Sequence, residues 1–164
     1  IANRGWYITP HFVKKISDDS IQIKFREKKY STINSKHYEK IIDGMFDLIE
    51  KGTARNSKIR DIKIVGKTGT AENFTKINGI RRQLTDHSIF IGFAPKDDPK
   101  IAIAVFIENG YWGTRWAAPI ASLMMEKYLK KNIERKYLEN YILKGDLSKE
   151  YLKPYGNGNF TINE

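Results

Sequence analysis

The stretch Ile62–Glu72 reads IKIVGKTGTAE, and it is the part of the chain that decides the fold. Its first half is rich in β-branched residues, which favour extended structure, so we predict a strand over Ile62–Lys67. The strand runs into the tetrapeptide Lys67-Thr68-Gly69-Thr70, which places a cation, two hydroxyls and a glycine at its end. Taken alone, the tetrapeptide is also compatible with an ordinary sheet edge that turns at a glycine. Whether the tetrapeptide has a function must therefore be judged from the rest of the sequence.

Helical patterns occur on both sides of this stretch. Apolar residues at helical spacing predict a helix from Ser35 to Lys51, with Ser35 as its cap and Gly52 as its stop. Thr114 can cap a second main helix, in which we expect the pair Met124-Met125 to fill the core. Residues 133–144 suggest a shorter third helix.

Strand patterns occupy three further segments, which are Ile21–Phe25, His87–Ala94 and Ile101–Ile107. His87–Ala94 is apolar on both faces, so we expect it to be central. The short turn Pro95–Pro99 favours its antiparallel pairing with Ile101–Ile107. Asn73–Thr85 is too long for a tight hairpin and predicts a loop, either a rim or lid beside the tetrapeptide or a passive surface excursion. These patterns predict an α/β (α+β) fold, an antiparallel sheet flanked by helices.

Composition favours a folded domain and excludes some functions. The chain has 164 residues, of which 40% are apolar, so one core is expected. It has no cysteine and no apolar run of membrane-spanning length. The 29 basic against 19 acidic residues give a net charge of +10, but the basic residues are scattered and no nucleic-acid-binding motif accompanies them. We therefore expect a solvated basic surface and no nucleic-acid partner.

The tetrapeptide belongs to an ordered set of motifs. The other members, in chain order, are Ala2-Asn3-Arg4-Gly5, Thr9-Pro10-His11, Lys51-Gly52-Thr53-Ala54, residues 87–95 (HSIFIGFAP), residues 99–105 (PKIAIAV), Glu108-Asn109-Gly110, Trp112-Gly113 and residues 117–121 (AAPIA). This set resembles the C-terminal part of the transpeptidase domain of class B penicillin-binding proteins, particularly the cell-elongation transpeptidase. In that family the tetrapeptide is the third active-site motif.

The resemblance implies the fold shared by penicillin-binding proteins and serine β-lactamases. It also implies the activity of a D,D-transpeptidase, which cross-links peptidoglycan stem peptides through an acyl-serine intermediate and binds β-lactams. By resemblance, Lys67 lies near the nucleophile, Thr68, Gly69 and Thr70 hold the D-alanyl-D-alanine end of the stem peptide, and the Thr70 backbone N–H is an oxyanion donor. No cofactor is implied.

Two of the family's three motifs are absent from the sequence. Its serines are Ser17, Ser20, Ser31, Ser35, Ser57, Ser88, Ser122 and Ser148, and none begins an S-x-x-K or S-x-N motif. We therefore expect a fragment that is inactive alone, in which residues 1–145 are the C-terminal portion of the transpeptidase domain and residues 146–164 a loosely ordered tail. The nucleophilic serine and an N-terminal membrane anchor would lie upstream. The domain would then lie on the periplasmic or extracytoplasmic face of the bacterial cytoplasmic membrane. The implied protein partners are the upstream half of the domain and the cell-elongation machinery.

Two alternative functions remain open from the sequence. A serine β-lactamase or D,D-carboxypeptidase would share the K-T-G motif, and a non-catalytic penicillin- or peptidoglycan-binding module of the same fold would lack the serine. Upstream sequence would separate them, because an S-x-x-K and an S-x-N motif indicate an enzyme.

Other polar residues rank lower as site candidates. His11, His37 and His87 are too dispersed for a metal site. Asp86 and His87 open a strand and could rim a cleft, although a structural role is the commoner one. Glu108 and Trp112-Gly113 are expected to support the fold, and the role of Glu72 stays open.

Overall fold

A computed structural model describes residues 1–13, 15 and 21–148. The chain divides into two compact units, the first from Ile1 to Gly44 and the second from Met45 onward. The predicted tail over residues 146–164 lies almost entirely outside the described residues. Within the described part of the chain, no helix has the length and apolar character needed to cross a bilayer.

The first unit contains a small sheet and a 3-10 helix. Strands β1 (Trp6–Tyr7) and β2 (Lys29–Tyr30) pair antiparallel. The predicted strand Ile21–Phe25 is wrong, because Ile23–Phe25 forms a 3-10 helix. Its alternating pattern does not reflect a buried face, since Ile23 is 62% exposed and none of the residues of the 3-10 helix is buried.

Helix α1 (Ser35–Glu50) begins in the first unit and ends in the second, as the helical spacing predicted. Tyr38, Ile42, Met45 and Ile49 are its buried residues. The predicted cap is displaced by one position, because the Asn34 side chain accepts a hydrogen bond from the Lys36 backbone N–H at 3.1 Å and Ser35 is the first helical residue.

The second unit is built on a three-stranded antiparallel sheet with the order β3-β4-β5. The strands are β3 (Val65–Ile77), β4 (Ile80–Ala94) and β5 (Ile101–Ile107). The central position predicted for His87–Ala94 is confirmed, because β4 pairs with both neighbours. Strand β3 is therefore an edge strand of this sheet, and it begins three residues later than predicted.

The loop predicted over Asn73–Thr85 is wrong, because β3 and β4 continue through it as a long hairpin. Asn78 and Gly79 form its tight turn with φ values of 51° and 78°, the left-handed conformations that favour Asn-Gly in hairpins. The pairing register shifts between Ala71 and Asn73. Across the hairpin Arg81 donates to Glu72 at 3.0 Å, which gives the exposed Glu72 a local structural contact.

Helices α2 (Ala117–Lys130) and α3 (Lys136–Leu143) follow the sheet, with Trp116 in the cap position for which Thr114 was predicted. The buried core combines one end of α1, the sheet and one face of α2; its largest contributors are Ile49, Ile59, Ile64, Phe90 and Met125. Alanines at positions 117, 118 and 121 let α2 approach the sheet closely. The prediction for the methionine pair is right for Met125, which is fully buried, and wrong for Met124, which is 53% exposed. The α/β class and the antiparallel sheet flanked by helices are confirmed.

Candidate ligand-binding groove at strand β3

The tetrapeptide lies in the first half of strand β3, where the pairing register assigns each side chain to a face of the sheet. Thr68 pairs with Phe90 and Thr70 pairs with Ser88, both of which are buried, so the two threonines share that face of the sheet. Gly69 pairs with Ile89 and stands on the other face. Since β3 is an edge strand of its sheet, its outer side offers backbone groups to an added strand.

Two glycines fix the strand against its neighbour. A Cβ atom at Gly66 would lie 2.2 Å from Phe90 Cζ, and one at Gly92 would lie 2.6 Å from the carbonyl oxygen of Val65. The Phe90 ring therefore occupies the space that side chains at both positions would need. This packing holds the start of the tetrapeptide on a rigid part of the sheet.

A groove of about 940 Å³ opens along the tetrapeptide. It is lined by three segments of the second unit, namely Lys51-Gly52-Thr53 with Arg55-Asn56, Lys67-Thr68-Gly69-Thr70, and Trp112-Gly113-Thr114. The structure thus brings together all four predicted site residues. The groove lining also contains residues that the sequence did not assign to the site. Two of these groups, Lys51-Gly52-Thr53 and Trp112-Gly113, could have been assigned, because they belong to the same ordered set of motifs as the tetrapeptide.

Ser88 anchors the third of these segments. Its buried hydroxyl donates to the Trp112 carbonyl oxygen at 2.9 Å and accepts from the Ala117 backbone N–H at 3.2 Å. One side chain on β4 thereby holds both the groove-lining segment and the first residue of α2. Sequence reasoning missed this residue.

Gly113 brings the same segment into contact with the sheet backbone. A Cβ atom there would lie 2.4 Å from the Ile89 carbonyl oxygen and 2.7 Å from that of Gly69. The Gly113 carbonyl also accepts from the Ala118 backbone N–H at 2.8 Å. Glycine is required at this point because any side chain would overlap backbone atoms of both strands.

Asp86 and His87 support the sheet instead of rimming the groove. The buried Asp86 carboxylate accepts from the Asn73 backbone N–H at 3.2 Å and from the Gln83 side chain at 3.0 Å, at the register shift. His87 Nδ1 accepts from the Asn109 backbone N–H at 3.0 Å. Neither residue is among those that line the groove. Glu108 is exposed and is also absent from the lining.

The groove is electropositive. Its charged lining residues are Lys51, Arg55 and Lys67, and no acidic residue is among the described residues that line it. Lys67 Nζ donates to the Thr68 carbonyl oxygen at 2.7 Å, which holds the ammonium against the backbone of the tetrapeptide. Cations and hydroxyls on a strand edge form a site for an anionic ligand with an extended backbone.

Among the described residues, neither a metal cluster nor a groove-lining serine accompanies these groups. Over residues 1–13, 15 and 21–148, no group of three or more His, Asp or Glu side chains is placed to hold a metal ion. The hydroxyl side chains that line the groove are all threonines. The described residues can therefore hold an anion, while the S-x-x-K arrangement that activates a nucleophile is absent from the sequence.

A model of the penicillin-binding protein transpeptidase domain matches residues 1–126. The chain belongs to this family. Two curated relatives are named peptidoglycan D,D-transpeptidase MrdA. The one from Haemophilus influenzae is 32% identical over 92% of this chain, and the one from Acinetobacter baumannii is 35% identical over 93%. The match spans 25% and 24% of those two proteins, so the chain corresponds to about a quarter of their length.

Solved structures of the family agree with the fold. PBP2 of Pseudomonas aeruginosa, in complex with WCK 5153, aligns with a TM-score of 0.62 and 28% identity over 83% of this chain and 29% of that one. Penicillin-binding protein A of Mycobacterium tuberculosis, as an imipenem acyl-enzyme complex, aligns with a TM-score of 0.62 and 31% identity over 78% of this chain and 28% of that one. These similarities confirm that the chain has the fold of part of a penicillin-binding transpeptidase domain.

Proposed function

We propose that this chain is the carboxylate-holding part of a serine-type peptidoglycan D,D-transpeptidase. The observation that carries the proposal is the placement of Lys67, Thr68, Gly69 and Thr70 on an edge strand beside an electropositive groove. The names of the curated relatives and the family of the chain support the reaction class. The substrate is then a stem peptide that ends in D-alanyl-D-alanine, and a β-lactam is its mimic.

Each residue of the tetrapeptide has a separate role in this proposal. The hydroxyls of Thr68 and Thr70 donate hydrogen bonds to the terminal carboxylate, and the Lys67 ammonium supplies its countercharge and supports proton transfer. Gly69 leaves the strand edge open, so the peptide lies along β3 and pairs with its backbone.

Catalysis requires a serine that this sequence does not supply in an S-x-x-K motif. In the proposed reaction, that serine attacks the carbonyl carbon of the penultimate D-alanine, and the Thr70 backbone N–H donates to the developing oxyanion. Collapse of the tetrahedral intermediate breaks the amide bond and releases the terminal D-alanine, which takes up a proton. An amine of a second stem peptide then attacks the acyl-serine, forms the cross-link and frees the serine. The loss of one oxyanion donor typically raises such a barrier by about 3 to 4 kcal/mol.

The setting of the whole protein is part of the proposal. We place the site on the periplasmic or extracytoplasmic face of the cytoplasmic membrane, where peptidoglycan is assembled. The protein partners are the portion of the domain that carries the serine and the proteins of cell elongation. The basic surface, with a net charge of +10, is compatible with an anionic cell envelope.

Titration of the isotope-labelled chain with N-acetyl-D-alanyl-D-alanine, followed by NMR, tests the carboxylate site. We expect shifts of the backbone amides of residues 67–70 and of Gly113, and binding weaker by at least tenfold when the terminal carboxylate is replaced by a carboxamide, because charge-assisted hydrogen bonds are lost. The variant Thr70→Val should lose most of this discrimination. Equal affinity for acid and amide, or shifts confined to other parts of the chain, would refute the proposed site.

A further inference from the structure

We propose that residues 135–145 form a brace that positions two walls of the groove, the first wall being residues 51–56 and the second residues 112–114. Arg135 and Tyr141 are the positioning residues of the brace. Both lie beyond residues 1–126, which the family model matches, so the family match gives them no role. The consequence for ligand binding rests on the proposed function, whereas the contacts of the brace do not.

Arg135 holds the turn at the end of the first wall. Its Nη1 atom donates to the carbonyl oxygens of Ser57 at 3.2 Å and Lys58 at 3.1 Å. The Lys58 backbone N–H in turn donates to the Arg55 carbonyl oxygen at 3.2 Å. Arg55 and Asn56 lie in this turn and line the groove. A side chain that is distant in the sequence therefore fixes the backbone of the first wall.

Glu126 of helix α2 orients Arg135. The Arg135 Nε atom donates to the Glu126 carboxylate at 3.0 Å, and the two side chains are 11% and 1% exposed, respectively. A buried ion pair is weak evidence for stability, since apolar side chains of the same volume often stabilise a fold at least as well. A guanidinium, however, presents several donors in one rigid plane, so it can join a carboxylate to backbone carbonyls in a fixed geometry. The pair therefore serves to place the turn against α2.

Tyr141 holds the segment that follows the second wall. Its ring stacks on Trp116, with 5.6 Å between the ring centroids and 19° between the ring planes. Its hydroxyl donates to the Arg115 carbonyl oxygen at 3.4 Å. Trp116 is buried, and a Cβ atom at Gly145 would lie 2.2 Å from its Cζ3 atom. The brace thus packs closely on the backbone and the indole ring that directly follow residues 112–114.

These contacts do not depend on the part of the domain that carries the serine, because each of them joins residues of the second unit. Neither wall lies in an α-helix or a β-strand of the described chain, so the hydrogen bonds of regular structure do not fix its backbone. Both walls are instead tied to the same short helix and the residues that flank it. The brace therefore relates the position of one wall to that of the other, which is what a precise binding site requires.

The variant Arg135→Lys tests the first wall on the intact, isotope-labelled chain at a temperature where it is fully folded. Lysine keeps the charge beside Glu126, but it offers one nitrogen and cannot occupy the positions of Nε and Nη1 together. We expect the backbone amides of residues 51–58 to shift in the NMR spectrum of the free chain. Affinity for N-acetyl-D-alanyl-D-alanine should fall by roughly threefold or more, because a displaced wall loosens the site.

Ile42→Val is the control for a loss of stability alone, since Ile42 is fully buried in helix α1 and lies outside both walls. It should lower the free energy of unfolding and leave the amide shifts of residues 51–58 and the affinity as they are in the native chain. If Arg135→Lys behaves in the same way, Arg135 only stabilises the fold and its positioning role is refuted.

Tyr141→Leu tests the second wall independently, and because Tyr141 is 44% exposed the variant is expected to fold. We expect shifts of the amides of residues 112–116 and weaker binding of the same peptide. Tyr128→Leu is the matched control, because Tyr128 is 51% exposed on α2 and its ring contacts Lys131. Native shifts of residues 112–116 in Tyr141→Leu would overturn the role of Tyr141. If the native chain does not bind the peptide, the proposed function fails, while the shifts of the two walls still decide whether the brace exists.

Discussion

Among single residues, Ser88 has the largest structural role relative to its size. Its hydroxyl bonds two backbone groups, the Ala117 N–H and the Trp112 carbonyl, which also accepts from the Arg115 backbone N–H at 2.9 Å. Ser88→Ala should lower the free energy of unfolding by about 1–3 kcal/mol, because both groups lose a buried partner. It should also weaken binding at the groove by displacing Trp112.

Ser57 is the matched control, since it is also buried but its hydroxyl has no hydrogen-bond partner within the described residues. Ser57→Ala should therefore change stability much less. Urea unfolding of both variants measures the difference. Equal losses would mean that burial of the hydroxyl, and not its two hydrogen bonds, sets the cost.

The residues of the tetrapeptide could be assigned to a candidate site from the sequence, because they are adjacent in the chain and the strand that carries them is predicted from the same short stretch. Thr68 and Thr70 share a face for that reason. Two other positions could not be assigned from the sequence. The contacts of Ser88 depend on which loop folds against β4, and the place of Arg55 in the groove lining depends on three segments that are distant in the chain.

Among the elements, the segment between β5 and α2 determines how closely the groove wall approaches the sheet. Gly113→Ala should destabilise the chain by about 1–3 kcal/mol, because its Cβ would overlap the carbonyl oxygens of Ile89 and Gly69 and neither strand can yield. Gly44→Ala in helix α1 is the control, since no atom lies within 4 Å of its Cβ position and alanine favours a helix. Gly44→Ala should raise the free energy of unfolding by about 0.5–1 kcal/mol. Thermal and urea unfolding measure both, and a neutral Gly113→Ala would contradict the close packing.

The helices and central strands were predictable because their apolar spacing reflects a buried face. The long hairpin was not, since residues 73–85 are mostly polar and their apolar side chains Phe74, Ile80 and Leu84 are exposed. Asp86 and the Asn78-Gly79 turn support the strand pairing there instead of a core. The Asn-Gly dipeptide is typical of a tight hairpin turn. The length of the segment nevertheless led to the prediction of a loop. The strand predicted at residues 21–25 failed for the converse reason, because its apolar residues alternate without a buried face and Ile23–Phe25 forms a 3-10 helix.

At the scale of the whole molecule, the family match over residues 1–126 covers all three segments of the groove. The third motif lines the groove, while the first and second are absent from the sequence. We therefore propose that this chain holds the substrate for a serine that its own sequence does not supply in an S-x-x-K motif.

Intact-mass measurement after exposure to benzylpenicillin tests that claim most directly. The samples are this chain and a longer protein in which the family's S-x-x-K and S-x-N motifs precede it, with Lys67→Ala and the control Lys63→Ala, whose native side chain pairs with Asp97 outside the groove. We predict no adduct on the chain alone, one adduct on the motif serine of the longer protein, and loss of labelling with Lys67→Ala only. A stoichiometric adduct on the chain alone, or full labelling of the longer Lys67→Ala protein, would contradict the account.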